Sequence, residues 1–134
     1  MHILIVDDDH DSTRLLCNYL KPFGSCEIAV DGKDAIELFR IALEENDPFN
    51  LICLDILMPT LDGHAALKKI RQLEERNGVH YGRGAKIVMT SILSDNDNIL
   101  KSYLRHCDAY IIKPVAKQDL LGKLQELRMI GQAA

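Results

Sequence analysis

The chain has 134 residues, of which 47% are hydrophobic and 27% charged, and its formal net charge is −4. This length is typical of one domain with its own core, so we expect a single domain over 1–134 with no separate output domain. An acidic domain is poorly suited to bind nucleic acid or an anionic membrane directly, because both attract clustered Lys and Arg. No apolar run approaches the roughly 20 residues that span a bilayer, so we expect no membrane insertion.

The positions of cysteine and histidine argue against a zinc or redox motif. The four cysteines form no CxxC pair and the five histidines form no HxxxH pair. The N-terminus reaches acidic residues at Asp7 without the apolar segment of a signal peptide. We therefore expect a cytoplasmic protein with reduced cysteines.

Short apolar runs recur along the chain and predict β-strands. Four runs are apolar on both faces, as in the buried strands of a parallel sheet: Ile3–Val6, Leu51–Leu54, Ile87–Met89 and Tyr110–Ile112. A further segment, Cys26–Val30, is less continuously apolar and suits an edge position.

Segments with helical periodicity separate these runs, and each has apolar residues on one face. In chain order these faces contain Leu15, Leu16, Tyr19 and Leu20; Ala35, Ile36, Phe39, Ala42 and Leu43; Ala66, Leu67, Ile70 and Leu73; Ile99, Leu100, Tyr103 and Leu104; and Leu120, Leu124 and Leu127. Five strands alternating with five helices predict an α/β fold, with a parallel sheet covered by helices on both faces.

The segment 77–84 contains three glycines and predicts a mobile loop before the fourth strand. The favoured interpretation is a surface insertion without a specific role. The alternative is a partner contact that uses His80, Tyr81 and Arg83.

Polar residues follow four of the predicted strands at the points where the strands end. In chain order they are Asp7, Asp8 and Asp9; Asp55; Thr90 and Ser91; and Lys113. The carboxyl ends of parallel strands share one edge of a sheet, and ligands of such folds bind there. We therefore expect these side chains to lie close together.

Clustered carboxylates repel one another and predict a hard-cation site, for which Mg²⁺ is the usual occupant. Combined with a hydroxyl and an ammonium group, they predict a phosphoryl-transfer site. A carboxylate in such a site can itself be the nucleophile and become an aspartyl phosphate. Asp9 and Asp62 are better explained as helix N-caps, whereas Asp55 directly follows a buried strand and has no comparable structural explanation.

These strand ends resemble the receiver domain of bacterial two-component response regulators. The segments that carry the resemblance are Ile5–Asp8, Leu54–Pro59, Leu61–Gly63, Met89–Ser91 and Tyr110–Pro114. The resemblance extends from Met1 to about Leu127 and implies a flavodoxin-like, doubly wound, five-stranded parallel sheet with strand order 2-1-3-4-5. It also implies a stand-alone protein similar to a chemotaxis regulator.

The resemblance implies a role for each site residue. Asp55 would accept the phosphoryl group, and Lys113 would pair with that group. Asp7, Asp8, Asp55 and the backbone carbonyl of Leu57 would hold Mg²⁺, with Mn²⁺ as a substitute.

Three further roles follow from the same resemblance. Counting back from Lys113 by the family's usual spacing selects Ser91 over Thr90 as the hydroxyl of the site. Tyr110 would be the aromatic switch residue that turns inward with that hydroxyl. The Lys113–Pro114 peptide bond would be cis, as X–Pro bonds permit.

The function implied is a phosphoryl-accepting signalling switch rather than an enzyme in the usual sense. The donor would be a phosphohistidine of a histidine kinase or a histidine phosphotransfer protein. The signal would reach a downstream protein through the fourth helix, fifth strand and fifth helix, approximately 95–129. The domain would catalyse only its own phosphorylation and slow autodephosphorylation, and the apolar Leu57 and Leu93 are expected to hinder hydrolysis.

Two other functions fit the pattern less well. An aspartyl phosphatase with a D-x-D motif at Asp7 and Asp9 would need a different continuation from His10-Asp11-Ser12 and usually a cap domain. A flavin or dinucleotide module would need a phosphate-binding loop, but the chain has no GxGxxG, and acids after the first strand would repel a bare phosphate.

Overall fold

The computed structural model describes residues 1–58, 61–80, 82–92 and 107–131. Within these ranges the chain forms five strands, β1 (His2–Val6), β2 (Ser25–Ala29), β3 (Leu51–Asp55), β4 (Lys86–Ser91) and β5 (Ala109–Ile112). The described ranges also contain four α-helices, α1 (His10–Leu20), α2 (Gly32–Glu44), α3 (Gly63–Arg76) and α4 (Lys117–Glu126), and a 3₁₀ helix at Lys21–Phe23.

The fourth predicted helix, with Ile99, Leu100, Tyr103 and Leu104, lies outside the described residues. The helix labelled α4 is therefore the fifth predicted helix. No helix in the described ranges combines the length and the apolar character needed to cross a membrane.

The five strands form one parallel sheet in the order β2-β1-β3-β4-β5. The predicted strand order and the edge position of β2 are confirmed. Parallel neighbours need long crossover connections, and α1, α2 and α3 lie within those between successive strands. All five strands therefore end at the same edge of the sheet.

The sheet is covered on both faces, which explains why its central strands are continuously apolar. One cluster joins the sheet to α2 and α3; its members include Leu4, Val6, Ile52, Leu54, Ile87, Met89, Phe39 and Leu67. A second cluster joins the opposite face to α1 and α4; its members include Ile3, Ile5, Cys53, Val88, Ile111, Leu16 and Leu120. Successive residues of each strand alternate between the two clusters.

The face that α1 buries differs from the prediction at one residue. Leu16, Leu20 and Thr13 are buried, whereas Leu15 is 42% exposed. Leu15 lies about 100° around the helix axis from Leu16 and so points away from the sheet. Thr13 takes a buried position instead because its hydroxyl donates to the carbonyl of His10 at 3.0 Å.

The two predicted N-caps are confirmed. Asp9 caps α1 by accepting hydrogen bonds from the N–H of Asp11 at 3.2 Å and from the hydroxyl of Ser12 at 3.0 Å. Asp62 caps α3 by accepting from the N–H of Ala65 at 2.9 Å. These bonds satisfy N–H groups that have no partner within their own helix.

The buried Glu74 binds the chain at the end of the glycine-rich segment 77–84. The carboxylate of Glu74 accepts from the N–H of Ala85 at 2.7 Å and from Arg71 at 2.7 Å, and Arg71 also pairs with Asp108 at 2.9 Å. A Cβ on Gly84 would lie 1.9 Å from the same carboxylate, so a larger residue here would require the Glu74 side chain to move. Tyr81 lies outside the described residues, and a role of this loop in partner contact stays a prediction.

His2, at the edge of the sheet opposite the strand ends, connects three parts of the fold. Its Nε2 lies 2.5 Å from Oε2 of Glu27 in β2, its Nδ1 lies 2.9 Å from the carbonyl of Asp47, and its ring stacks on Phe49 with centroids 4.1 Å apart. Burial lowers the pKa of His2, but the hydrogen bonds to Glu27 and Asp47 outweigh it and raise the pKa above its ordinary value of 6.5. The protonated ring is therefore the form that the fold prefers.

Replacing His2 by Gln tests this contact. A raised pKa stabilises the fold below pH 6.5, and the contribution is lost as the pH rises through the folded-state value. The free energy of unfolding of wild type should therefore exceed that of His2→Gln by roughly 0.5–1 kcal/mol more at pH 5.5 than at pH 8.5. Urea titrations at both pH values measure this, and a difference that grows with pH would contradict it.

Candidate functional site

Three carboxylates converge at the edge where the strands end. Asp7 follows β1, Asp8 comes next, and Asp55 is the last residue of β3. Each offers one oxygen atom, and these oxygens lie within 4.8 Å of one another. Asp7 and Asp55 are buried, whereas Asp8 is exposed, so the cluster is reachable from solvent at Asp8.

Lys113 provides a positive charge to this cluster. Its Nζ lies 2.7 Å from Oδ2 of Asp7 and 3.4 Å from Oδ2 of Asp55. The N–H of Lys113 donates to the carbonyl of Ser91 at 2.7 Å, which ties the residue to the end of β4. The Lys113–Pro114 peptide bond is cis.

Asp55 is held in place by the segment that leads into α3. Its Oδ1 accepts from the N–H of Leu57 at 3.3 Å, and the N–H of Gly63 donates to the carbonyl of Ile56 at 2.8 Å. A Cβ on Gly63 would lie 2.3 Å from the backbone oxygen of Asp55, so only glycine permits this approach. This contact of Gly63 is not predictable from the sequence, because no local pattern reveals which backbone a glycine will touch.

The charges at this site are incompletely balanced. Burial raises the pKa of Asp55 to about 6; Lys113 lowers it in part, and the neighbouring Asp7 raises it further. Burial lowers the pKa of Lys113, but its contacts with Asp7 and Asp55 outweigh this and leave the pKa raised. Three carboxylates beside one ammonium leave negative charge that a bound cation would neutralise.

The strand register distinguishes the two candidate hydroxyls. Asp55 and Thr90 are direct partners in neighbouring strands. Alternation puts both on the face of the sheet that packs against α1 and α4, and puts Ser91 on the opposite face. Both hydroxyls are buried. The register puts Thr90 on the face of Asp55 and puts Ser91, at the end of β4, on the face of Tyr110. The choice of Ser91 as the hydroxyl of the site stays a prediction.

The remaining predicted residues lie in different surroundings. Tyr110 is buried in the cluster that faces α2 and α3. Leu57 is 48% exposed beside Asp55, and its carbonyl as a metal ligand stays a prediction. Pro59 and Leu93 lie outside the described residues, as does the part of the expected output face between 95 and 106. Asp9 uses its carboxylate to cap α1 rather than as part of the carboxylate cluster.

The family model for the response regulator receiver domain matches residues 3–125. The chain belongs to this family. It is thus a receiver domain of two-component signalling, as its strand ends had suggested.

Two relatives and one solved structure illustrate the similarity. Transcription factor SKN7 of Candida albicans is 32% identical over 127 residues, which are 93% of this chain and 20% of that protein. Chemotaxis protein CheY of Treponema pallidum is 29% identical over 124 residues, covering 91% of this chain and 78% of that protein. The chain therefore spans one fifth of the length of SKN7 but most of the length of CheY.

The structural relative is the receiver domain of the histidine kinase CKI1 from Arabidopsis thaliana, complexed with Mg²⁺ and BeF3⁻. It has a TM-score of 0.80 and 26% sequence identity, and the match covers 96% of this chain and 90% of that one.

Substitution of Asp55 by Asn tests the charge imbalance. Because the folded-state pKa of about 6 exceeds the ordinary 3.8, the ionised carboxylate destabilises the metal-free fold above pH 6. In EDTA at pH 8, Asp55→Asn should raise the free energy of unfolding by about 1–3 kcal/mol, and the gain should fall by about half at pH 5.

Denaturant unfolding at both pH values measures the effect. The matched control is Asp119→Asn on α4, an exposed acid away from the cluster, which should change stability by less than about 0.5 kcal/mol. Destabilisation by Asp55→Asn at pH 8 without divalent cations would show that the carboxylate is stabilised rather than strained.

Proposed function

We propose that this receiver domain accepts a phosphoryl group on Asp55 from a phosphohistidine of a histidine kinase or a histidine phosphotransfer protein. The observation that carries the proposal is the convergence of Asp7, Asp8 and Asp55 on one another, with Lys113 in contact with two of them. Asp55 is the acceptor because it is buried and is held from several sides, whereas Asp8 is exposed.

Asp7, Asp8 and Asp55 would hold Mg²⁺, with the backbone carbonyl of Leu57 as a further ligand and Mn²⁺ as a substitute. The donor set fits a hard cation, because it consists of oxygen atoms and carries more negative charge than Lys113 balances. Bound Mg²⁺ supplies positive charge beside the transferring phosphoryl group. The CKI1 receiver domain complexed with Mg²⁺ and BeF3⁻ supports this assignment by analogy.

The reaction is an in-line displacement at phosphorus. A carboxylate oxygen of Asp55 forms the new O–P bond while the P–N bond of the phosphohistidine breaks, and the leaving imidazole keeps the electron pair and takes up a proton. Lys113 would shift from its contacts with Asp7 and Asp55 to pair with a phosphoryl oxygen. The ammonium is already in place before the donor arrives, so little reorganisation is needed.

Ser91 is our candidate for the hydroxyl that donates to the phosphoryl group, because the family's usual spacing from Lys113 selects it and it is buried at the end of β4. Tyr110 lies on the same face of the sheet as Ser91 and would report the state of the site to the output face around β5 and α4, where a downstream protein binds. The domain would be a switch with slow autodephosphorylation, because the apolar Leu57 and Leu93 are expected to hinder hydrolysis.

Phosphorylation by phosphoramidate, which has a P–N bond like that of phosphohistidine, tests the acceptor. With Mg²⁺ the intact protein should gain about 80 Da, and both EDTA and Asp55→Asn should abolish the gain because they remove the cation and the nucleophile. The matched control Asp31→Asn, at the N-cap of α2, should still be labelled. Undiminished labelling of Asp55→Asn would place the acceptor elsewhere.

Comparison of Thr90→Ala with Ser91→Ala tests the hydroxyl. Loss of a hydrogen-bond donor aimed at transition-state charge should slow phosphorylation of Ser91→Ala by about tenfold or more, and Thr90→Ala should change it by less than about twofold. Initial rates from mass spectrometry, with circular dichroism to verify folding, give the answer. The opposite order would favour Thr90, which the strand register puts on the face of Asp55.

A further inference from the structure

Two cysteines, Cys17 of α1 and Cys26 of the edge strand β2, pack against the same apolar cluster. Cys26 is the register partner of Ile3, and strand alternation puts both on the face of the sheet covered by α1. Cys17 follows the buried Leu16 on α1, and it packs with Cys26 against the same apolar cluster. Helix packing therefore brings together two thiols that are nine positions apart in the sequence.

The two thiols pack against the same cluster, and both are reachable from solvent. Each affects the pKa of the other: Cys26 lowers the pKa of Cys17 in part, and Cys17 raises the pKa of Cys26. Both residues are partly exposed, whereas Cys53 and Cys107 are buried. The pair thus differs from the other two cysteines in having both a thiol partner and access for a small reagent.

We propose that Cys17 and Cys26 form a thiol-oxidation site, at which a peroxide converts the pair into an intramolecular disulfide. The thiolate of Cys17 attacks one oxygen of the peroxide, the O–O bond breaks, and a sulfenic acid forms on Cys17 as hydroxide leaves. The sulfur of Cys26 then attacks the sulfenic sulfur, the S–O bond breaks, and water leaves. In total two thiols and one hydrogen peroxide give one disulfide and two water molecules.

The bridge would join α1 directly to β2 and close the short segment that contains the 3₁₀ helix Lys21–Phe23. Helix α1 begins two residues after Asp8, a member of the carboxylate cluster, and it also contains Cys17. The same helix therefore adjoins both the carboxylate cluster and the thiol pair. The site is independent of the proposed phosphoryl transfer and does not require it.

The surroundings predict a slow reaction. Burial raises the pKa of Cys17, although Cys26 lowers it in part, and burial raises the pKa of Cys26 to about 11. Thiolate is the attacking species, so oxidation should be slower than that of an exposed cysteine at pH 7 and should accelerate toward pH 9.

Peptide mapping of wild-type protein treated with hydrogen peroxide tests the proposal. Trypsin releases both cysteines in one peptide, residues 15–33, because Lys21 precedes a proline. After alkylation under denaturing conditions this peptide should be about 2 Da lighter than its reduced form and carry no alkyl group. Dithiothreitol should restore two alkylation sites.

Variants identify the partners. Cys17→Ser and Cys26→Ser should each abolish the bridged peptide, and the control Cys107→Ser should retain it. The proposal is overturned if both cysteines of peptide 15–33 remain alkylated after oxidation. It is equally overturned if the disulfide joins Cys53, Cys107 or a second chain.

Discussion

The contact of Lys113 with the carboxylates of Asp7 and Asp55 is the interaction on which this edge of the fold depends. Nζ of Lys113 lies 2.7 Å from Asp7 and 3.4 Å from Asp55. Without it, two buried acids would face each other with no charged partner among the described residues, and buried carboxylates in that situation become protonated. With it, the repulsion is reduced but not removed, and burial together with the remaining repulsion from Asp7 keeps the pKa of Asp55 raised.

The charged side chains at the opposite edge of the sheet are arranged differently. There Glu74 and Asp108 both pair with Arg71, and His2 lies between Glu27 and Asp47. These contacts join helices, strands and loops to one another and bring acid and base together. At that edge each of these acids lies beside Arg71, Lys86 or His2, whereas the three carboxylates at the strand ends lie together beside Lys113. This closer clustering of acids is a physical reason to locate cation binding at the strand ends.

Backbone contacts fix the positions of Asp55 and Lys113 in the site. Asp55 belongs to a central strand with hydrogen-bonded neighbours on both sides, and Gly63 allows the segment before α3 to pack directly on its backbone. The bond from the N–H of Lys113 to the carbonyl of Ser91 fixes the ammonium relative to β4. The acid and the ammonium are thus positioned by the sheet itself rather than by long loops, which suits a reaction that depends on placement and electrostatics.

The sequence by itself determined the fold class, the strand order through the family resemblance, the N-caps Asp9 and Asp62, and the set of polar residues at the strand ends. It did so because burial on both faces makes parallel strands continuously apolar, and parallel strands end together. Only the tertiary structure decided which hydroxyl shares a face with Asp55, because strand register does not follow from counting along a connection of variable length. It alone also gave the exposure of Leu15, the contact of Gly63 with Asp55 and the hydrogen bond from Ala85 to Glu74. The packing of Cys17 and Cys26 against one cluster likewise came only from the structure. Each of these joins residues through packing between elements, which a local pattern does not encode.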